Sequence, residues 1–573
     1  MNFSSSVEFH PKVWSALRHY SGKKFQADLV AGIVTGIVAL PLAIAFGIAS
    51  GVSPTVGLIT AIIGGFMVSA FGGNSVQIGG PTGAFIVIVY GIIARFGLEG
   101  LAVATFMAGL ILVMMGLFKL GTVIKFIPYP IVVGFTAGIA LTILTTQVND
   151  FLGLGLRDLP GEFLSKWGVY LQNLDRIDPA SLAVAIASLA IIIVTPRISK
   201  RVPGALTAII VVTAAVAICR SYFPDLSVVT IGDRFGSMKT DLPEVHGFAL
   251  TMANINLLLP SAFTIAVLGA IESLLSATVA DGVTGSRTST NTELIGQGLA
   301  NIAVPFVGGI PVTGAIARTM TNITNGGRTP VAGIIHAAVL LLIYIFMMPL
   351  INYVPMACLA AVLVVVAYNM SGWRTIVAIF RNPKSDISVM IVTFALTVIF
   401  DLTIAIEIGL LLAIVLFLRR VMENTEIKVY SQQLDIAEGT DLDASHHEEL
   451  NLLPGVEVYE IDGPFFFGVA TKFDEMMRST PGEKPHVRIV RMRKVPFIDS
   501  TAIHNLEILI NSSQREGIHV VLSGVKENVR QTLVNAGIDR LVGADHICPH
   551  ISVAVEMANA IVARRDAAAA TLA

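Results

Sequence analysis

Gly79-Gly-Pro-Thr-Gly-Ala-Phe85 and Gly308-Gly-Ile-Pro-Val-Thr-Gly-Ala-Ile316 are the two stretches that decide the fold. Each breaks an apolar region with glycines, which allow extended backbone, and with a proline suited to the first turn of a helix. Each predicts a strand followed by a half-helix that begins in mid-membrane, where irregular backbone is tolerated only if it lines a cavity. In opposite orientations the two helix N-termini point at each other near the midplane, and their unpaired N–H groups and partial positive charge favour an anion. A lone motif of this kind would read as a kink or as close helix packing. Two at matching places favour a site.

The surrounding chain has 573 residues, 54% hydrophobic and 14% charged, against about 25% charged in an ordinary soluble domain. Of its 38 basic and 40 acidic residues, 42 fall in residues 1–420 and 36 in the remaining 153. A lipid-embedded part is therefore followed by a water-soluble one. A net charge of -2 and the absence of a Lys/Arg block exclude a nucleic-acid footprint. Cys219, Cys358 and Cys548 stand alone, without partner spacing, so neither a disulfide framework nor a zinc site is expected.

Apolar stretches recur at about 29–50, 54–71, 80–96, 100–118, 127–148, 181–195 and 203–222, then at 261–280, 293–307, 312–323, 330–350, 355–369, 385–400 and 402–418. Fourteen spans follow, several near the ~20 residues that cross a bilayer. The polar segment before Gln26 lacks a cleavage pattern and is expected to stay in the mature chain. Lys/Arg should mark the cytoplasmic loops. Arg18, Lys23 and Lys24 then share one side with Lys119, Lys125, Arg197, Lys200, Arg201, Arg287, Arg328, Arg374, Arg381, Lys384, Arg419 and Arg420. Both termini are expected in the cytoplasm. The opposite loops 149–180 and 223–260 are mixed in charge.

Seven spans per half would place the halves in opposite orientations, an inverted repeat. An offset of 230 superposes Ala39 to Ala49 on Gly269 to Val279, and Pro81 on Pro311. Ile127-Pro-Tyr-Pro130 and Asn352-Tyr-Val-Pro355 match more loosely at an offset of 225.

Ionisable residues at membrane depth are functional candidates by default. Arg318, just past Thr313 and Gly314, could add positive charge beside the half-helix terminus, and a guanidinium suits an oxyanion. The alternative is an anchor whose head snorkels to water. Glu272 is the acid deep in its span, with Ser276 four residues on along the same face. Desolvation would let Glu272 carry a coupling proton, or with Ser276 it could bind a cation. A permanent pair with Arg318 is the competing reading. Asp401 and Glu407 flank the last span and receive no role. His336 reads as a hydrogen-bonded packing residue.

Residues 454–560 read as a small α/β domain with strands Val456 to Asp462, His486 to Met492 and His519 to Ser523. Helices are expected at Thr471 to Arg478, Ser500 to Ser513 and Glu527 to Ala536, giving a parallel sheet covered by helices. A linker is expected over 421–453 and a tail over 561–573. Asp499 and Ser500 sit where a helix starts, which N-capping explains. No nucleophile and base accompany Ser500, so catalysis is not expected.

The stretch Ala39 to Gly51, the two half-helix motifs, Glu272 through Asp281-Gly282, Glu293-Leu-Ile-Gly-Gln-Gly298 and Arg318 together resemble the SulP (sulfate permease) anion transporter family. Residues 454–560 resemble its C-terminal STAS domain, which is similar to anti-sigma factor antagonists. The resemblance implies an α-helical polytopic membrane protein of fourteen spans in a 7+7 inverted repeat. It also implies core and gate domains, an elevator-like shift, and a homodimer. The expected organisation is a cytoplasmic segment 1–28, a transmembrane transporter domain 29–420, the linker, the STAS domain and the tail.

Carried over by motif, the family's anion site falls on Leu42 and Phe46, on Thr82, Gly83 and Ala84, and on Gly314, Ala315, Ile316, Ala317 and Arg318. Relatives often place a polar residue where Leu42 and Ala317 stand, so backbone N–H groups and Arg318 carry more of the binding here. Sodium-coupled bicarbonate transporters of the family carry Asp where Glu272 stands, while similar members with Glu are associated with proton-coupled uptake. The resemblance thus implies H+ as coupling ion, with Na+ as alternative. Ser500 matches the serine phosphorylated in the antagonists, a regulatory site that could bring a cytoplasmic protein partner.

The function expected is secondary active transport of a small oxyanion across the inner (plasma) membrane. Sulfate comes first, with bicarbonate or a C4-dicarboxylate next. An anion sensor signalling through Ser500, an uncoupled channel and a nucleobase permease are the alternatives. No cofactor, metal site or catalytic constellation is expected, and the chain does not read as an enzyme.

Overall fold

The computed structural model describes residues 9–18, 20–122, 128–156, 159–160, 162–198, 203–223, 226–236, 247–248, 251–400, 402–430, 433–434, 450–469, 473 and 484–572. The chain forms two compact units, 1–413 and 414–573. All of the expected helix over 471–478 except Phe473, and most of the expected linker, lie outside the described residues, as do Ile127, Lys125, Lys200, Arg201 and Asp401.

The first unit opens with α1 (Lys12–Arg18), α2 (Gly22–Ala49) and α3 (Pro54–Phe71). Strand β1 (Gly79–Gly80) and a 3-10 turn at Gly83–Phe85 lead into α4 (Ile86–Leu117). Next come α5 (Tyr129–Leu152), α6 (Phe163–Gln172), α7 (Pro179–Ile198), α8 (Gly204–Tyr222) and α9 (Ile231–Phe235). The second half brings α10 (Met252–Thr284), α11 (Thr290–Ala303), β2 (Thr313–Gly314), α12 (Ile316–Thr324), α13 (Pro330–Ile351) and α14 (Met356–Ser371). It closes with α15 (Trp373–Ile379), α16 (Lys384–Ile399) and α17 (Leu402–Asn424), the last crossing the boundary between units.

Helix starts follow capping chemistry. Ser53 before Pro54 and Thr329 before Pro330 each accept an orphan N–H of the first turn. Every one of the fourteen apolar stretches carries helix. The third and fourth share α4, which breaks between them at Gly97, where φ is 70° and ψ is -174°. Among the described residues, nine helices are long and apolar enough to cross a membrane. The remaining stretches fall on the second part of α4 and on α11, α12, α16 and α17.

Packing divides the first unit into two helix groups. In one, α2 lies against α3 and α13, while α4 lies against α10 and α11; β1, β2 and α12 sit among them. In the other, α5 packs on α14 and α16, and α7 on α8 and α14. Small residues permit the closest approaches: a Cβ on Gly57 would overlap the Ala43 carbonyl of α2. The first group contains both half-helices.

The second unit contains a five-stranded sheet in the order β3-β6-β7-β8-β9. Its strands are β3 (Glu426–Tyr430), β6 (Val456–Asp462), β7 (Val487–Arg491), β8 (His519–Ser523) and β9 (Ile547–Cys548); β4 (Gln433–Leu434) and β5 (Leu450–Asn451) pair separately. The helices are α18 (Ser500–Arg515), α19 (Glu527–Asn535), α20 (Ile538–Val542) and α21 (Ile551–Leu572). The expected strands and the two expected helices within the described residues are present, with ends shifted by one or two residues.

Three features differ from expectation. The span assigned to the linker holds the end of α17 and the strand β3, which pairs antiparallel with β6, so the sheet is mixed rather than parallel. Its alternation, Glu-Ile-Lys-Val-Tyr, buries Ile427 beneath the sheet. Past 536 the chain adds α20 and β9. The last helix then runs through residue 560 to Leu572, because Ala554, Val555, Ala558 and Val562 cover the sheet face of Val458, Ile489 and Val521.

Candidate anion-binding site

Strands β1 and β2 are antiparallel, with Gly79 opposite Gly314 and Gly80 opposite Thr313. This pair joins segments more than 230 residues apart in sequence. The Ala315 N–H extends the pairing by donating to Ile78 O at 2.9 Å. Beyond the strands the backbone turns into helix on both sides, as the two motifs predict.

Polar side chains hold this arrangement from behind. Ser273 Oγ of α10 accepts the Gly314 N–H at 3.1 Å and lies 2.7 Å from Thr313 Oγ1. Asn301 of α11 clamps Val312 at both its N–H and its carbonyl, each at 2.8 Å. Thr319 Oγ1 accepts the Ile78 N–H at 3.1 Å, and Asn322 donates to Val76 O at 2.8 Å. These are buried groups with mutual partners, the condition under which polar atoms are stable in an apolar interior.

Glu293 completes the framework. Fully buried on α11, it accepts the N–H groups of Gly73 (2.7 Å) and Asn74 (3.0 Å) at one oxygen, and the amides of Gln77 (2.8 Å) and Gln297 (3.2 Å) at the other. Four donors from two segments compensate the burial of the carboxylate. The sequence contained its signal, an acid inside the apolar stretch 293–307, but its role was not read from it.

Arg318 is 1% exposed. Its Nη2 donates to Pro81 O at 3.0 Å and its Nη1 to Gly79 O at 3.5 Å. The guanidinium thus grips the backbone leading into the first half-helix rather than offering a free fork, and its head does not reach water. Gly80, at φ 150°, makes room for it, since a Cβ there would overlap Nη1. The cation remains close behind the terminus it secures.

The mouth of the site is backbone. Among the described residues the N–H groups of Gly83 and Ala84, and those of Ile316, Ala317 and Arg318, have no acceptor. Ile316 and Ala317 are exposed, while Gly314, Ala315 and Ala84 are buried. Thr82 Oγ1 is buried without a partner among the described residues. A Cβ on Gly83 would come within 2.7 Å of Met370 Sδ, so a larger residue there requires the methionine side chain to shift. Phe46 is buried on α2; Leu42, one turn earlier, packs against the α7 and α8 cluster of the other helix group.

Glu272 is 9% exposed and, among the described residues, makes neither a hydrogen bond nor an ion pair; the competing pair with Arg318 is not formed. Ser276 does not face it as a partner but donates to Thr319 at 3.3 Å. His336, expected to be hydrogen-bonded, is fully buried with neither ring nitrogen partnered among the described residues. In the second unit, Asp499 caps α18 by accepting the Ala502 N–H at 2.8 Å and also accepts the Phe467 N–H at 3.0 Å, leaving Ser500 exposed at the helix start.

The model of the sulfate permease family matches residues 25–393, and that of the STAS domain matches 449–554. The chain is 42% identical to the putative sulfate transporter YvdB of Bacillus subtilis over 93% of its own length and 97% of that protein's. It is 30% identical to the bicarbonate transporter BicA of Picosynechococcus, covering 85% and 87%. Its fold matches the inward-facing murine Slc26a9 anion transporter with a TM-score of 0.85 at 18% identity, over 98% of this chain and 96% of that one. The transmembrane domain of cyanobacterial BicA matches with a TM-score of 0.59 at 28% identity, over 69% and 98%.

Proposed function

Because the chain belongs to the sulfate permease family, we propose that this multi-pass membrane transporter is a secondary active carrier of a small oxyanion, sulfate before bicarbonate or a C4-dicarboxylate. The observation that carries the reading is the pairing of β1 with β2, which turns two half-helix N-termini with free N–H groups toward one mouth, backed by the buried Arg318. Backbone N–H groups and a helix terminus bind a compact anion without requiring one particular shape. The sulfate reading draws support from the 42% identical relative, and the bicarbonate alternative from the relatives at 30%.

The protein works in the plasma membrane with both termini in the cytoplasm, as the Lys/Arg distribution supports. Fourteen spans form two opposed sets of seven. The helix group that holds β1, β2 and the half-helices acts as the core, sliding against the group of α5, α7, α8, α14 and α16 so that the site meets one side and then the other. Glu272, buried one residue from the Ser273 that holds Gly314, is the coupling group and carries a proton, with Na+ as the alternative. The transporter assembles as a homodimer, and Ser500 is open to a cytoplasmic partner.

Reconstitution of the full chain in liposomes tests this. Labelled sulfate, bicarbonate and succinate are offered with an imposed proton or sodium gradient. Accumulation of one anion driven by the proton gradient is the expected outcome. Accumulation with sodium alone would replace the coupling ion, and no uptake of any of the three would overturn transport as the function.

A further inference from the structure

Lys166 has no counter-ion among the described residues. It sits on the short helix α6 with 5% of its surface exposed, and among the described residues its ammonium makes neither an ion pair nor a hydrogen bond. Three acids on adjoining segments are committed elsewhere. Asp150 takes Nη1 of Arg234 at 2.8 and 2.9 Å, Asp178 takes the Ser181 N–H and the Ser227 hydroxyl, and Glu162 takes Ser165. What lies beneath Lys166 is the ring of Tyr90, with Nζ 5.5 Å from the centroid. An aromatic face steadies an ammonium but leaves its three N–H donors open.

One turn on along the same face of α6, Tyr170 is 1% exposed and its hydroxyl has no partner among the described residues. A buried ammonium and a buried hydroxyl, both wanting an acceptor, stand four residues apart. The helix that presents them is fixed, since Trp167 Nε1 donates to Thr145 Oγ1 of α5 at 3.2 Å and its ring meets Tyr170 edge-on at 6.0 Å. Tyr90 belongs to α4, seven residues past Gly83, which is about 10 Å along the helix from the free N–H groups of the mouth. Its ring also lies against the α2–α3 turn, where a Cβ on Gly51 would come within 3.3 Å of Cδ2. The cluster is therefore on the face where α2 ends.

We propose that Lys166 and Tyr170 form a second anion subsite, a waiting position for the transported oxyanion between that face and the half-helix mouth. Burying an ammonium without a counter-charge is costly and a visiting anion offsets that cost, and a fixed positive group at the entrance raises the local anion concentration. The subsite takes the same chemical class as the main site, a small oxyanion with at least two acceptor oxygens, one for Nζ and one for the Tyr170 hydroxyl. This rests on the transport reading above.

The test uses the full-length protein in liposomes, with labelled sulfate, bicarbonate and succinate as probes. Lys166→Met keeps the apolar stem over Tyr90 and removes the charge. Its KM is expected to rise about 10-fold with Vmax within about twofold of the unmodified protein, Lys166→Arg should return KM to within about threefold, and Tyr170→Phe should raise it about threefold. An unchanged KM in Lys166→Met, a fall in Vmax at constant KM, or an arginine variant as impaired as the methionine one would each overturn the subsite. Should Lys166→Met fail to fold, Tyr170→Phe decides, and an unchanged KM there overturns it. If the unmodified protein moves none of the three anions, the transport reading itself fails and takes the subsite with it.

Discussion

Arg318 Nη2 lies 3.0 Å from the carbonyl oxygen of Pro81, so a side chain of the second half-helix is fastened to the residue that opens the first. The guanidinium has two duties at once, fixing the backbone and supplying positive potential behind the free N–H groups of Gly83 and Ala84. Arg318→Ala should abolish saturable uptake. Arg318→Lys keeps the charge but replaces the planar two-pronged fork by a compact ammonium on a shorter side chain, and uptake should fall by about 10-fold, since lost hydrogen bonds to a charged group are worth roughly 1.5–3 kcal/mol. Uptake of labelled anion by the purified, reconstituted variants checks both, and unimpaired alanine protein would remove Arg318 from the mechanism.

Glu272 makes no ion pair or hydrogen bond among the described residues, yet it adjoins the serine that holds Gly314. Glu272→Gln keeps the shape and removes the titration. Uptake should lose its dependence on the driving gradient, while the affinity for the anion, read as thermal stabilisation by added substrate, should change little. Persistence of gradient-driven accumulation in the glutamine variant would assign coupling to another group.

Glu293→Gln replaces one acceptor oxygen by a donor facing other donors. With Gly73, Asn74, Gln77 and Gln297 converging on that carboxylate, the substitution should destabilise the unit by about 3 kcal/mol, the range for leaving buried donors unsatisfied. A lower thermal midpoint in detergent, together with reduced uptake, is the expected result; a midpoint equal to that of the native chain would show the network to be dispensable.

How much of this was legible beforehand varies by residue. Glycine and proline write their backbone preferences into the sequence, so the two strand and half-helix motifs were readable. Helical stretches were readable from uninterrupted apolar length. The Arg318 position was evident, but the direction of its guanidinium was not, because that depends on a carbonyl 237 residues away. Glu293 escaped for the same reason, its partners lying up to 220 residues off. Strand β3 was missed because five alternating residues directly follow the long helix α17, and so short a pattern carries little weight beside it. His336 shows the converse: burial was foreseeable, the lack of a partner was not.

Asp233 lies in the first turn of the short helix α9, outside the spans. The Arg220 guanidinium, bonded at 2.5 Å, together with the Thr230 capping box, holds its carboxyl down at about 2. A carboxyl with a lowered folded value stabilises fully above its unfolded value near 4, and that contribution fades as pH falls through about 2. The thermal midpoint should therefore fall between pH 4 and pH 2 more steeply in the native chain than in Asp233→Asn. Parallel curves for the two proteins would dismiss the contribution.

Ser500 is exposed at the start of α18, where Asp499 rather than Ser500 supplies the cap. Ser500→Ala should therefore leave the fold and the basal uptake of reconstituted protein unchanged. Loss of uptake on this substitution alone would contradict a purely regulatory place for the residue, and a loss of partner binding in cells without a change in uptake would support it.

The two-residue pairing of β1 with β2 has a bearing on biosynthesis. A ribosome that has released everything through α11 has made the first half-helix but no cavity for cargo, because the opposing strand, its arginine and part of the scaffold are still to come. Glu293 arrives late as well, so the turn at Gly73 and Asn74 waits, uncapped, while some 220 further residues are inserted. Two fragments divided between α9 and α10 would therefore complete the paired strands only on meeting.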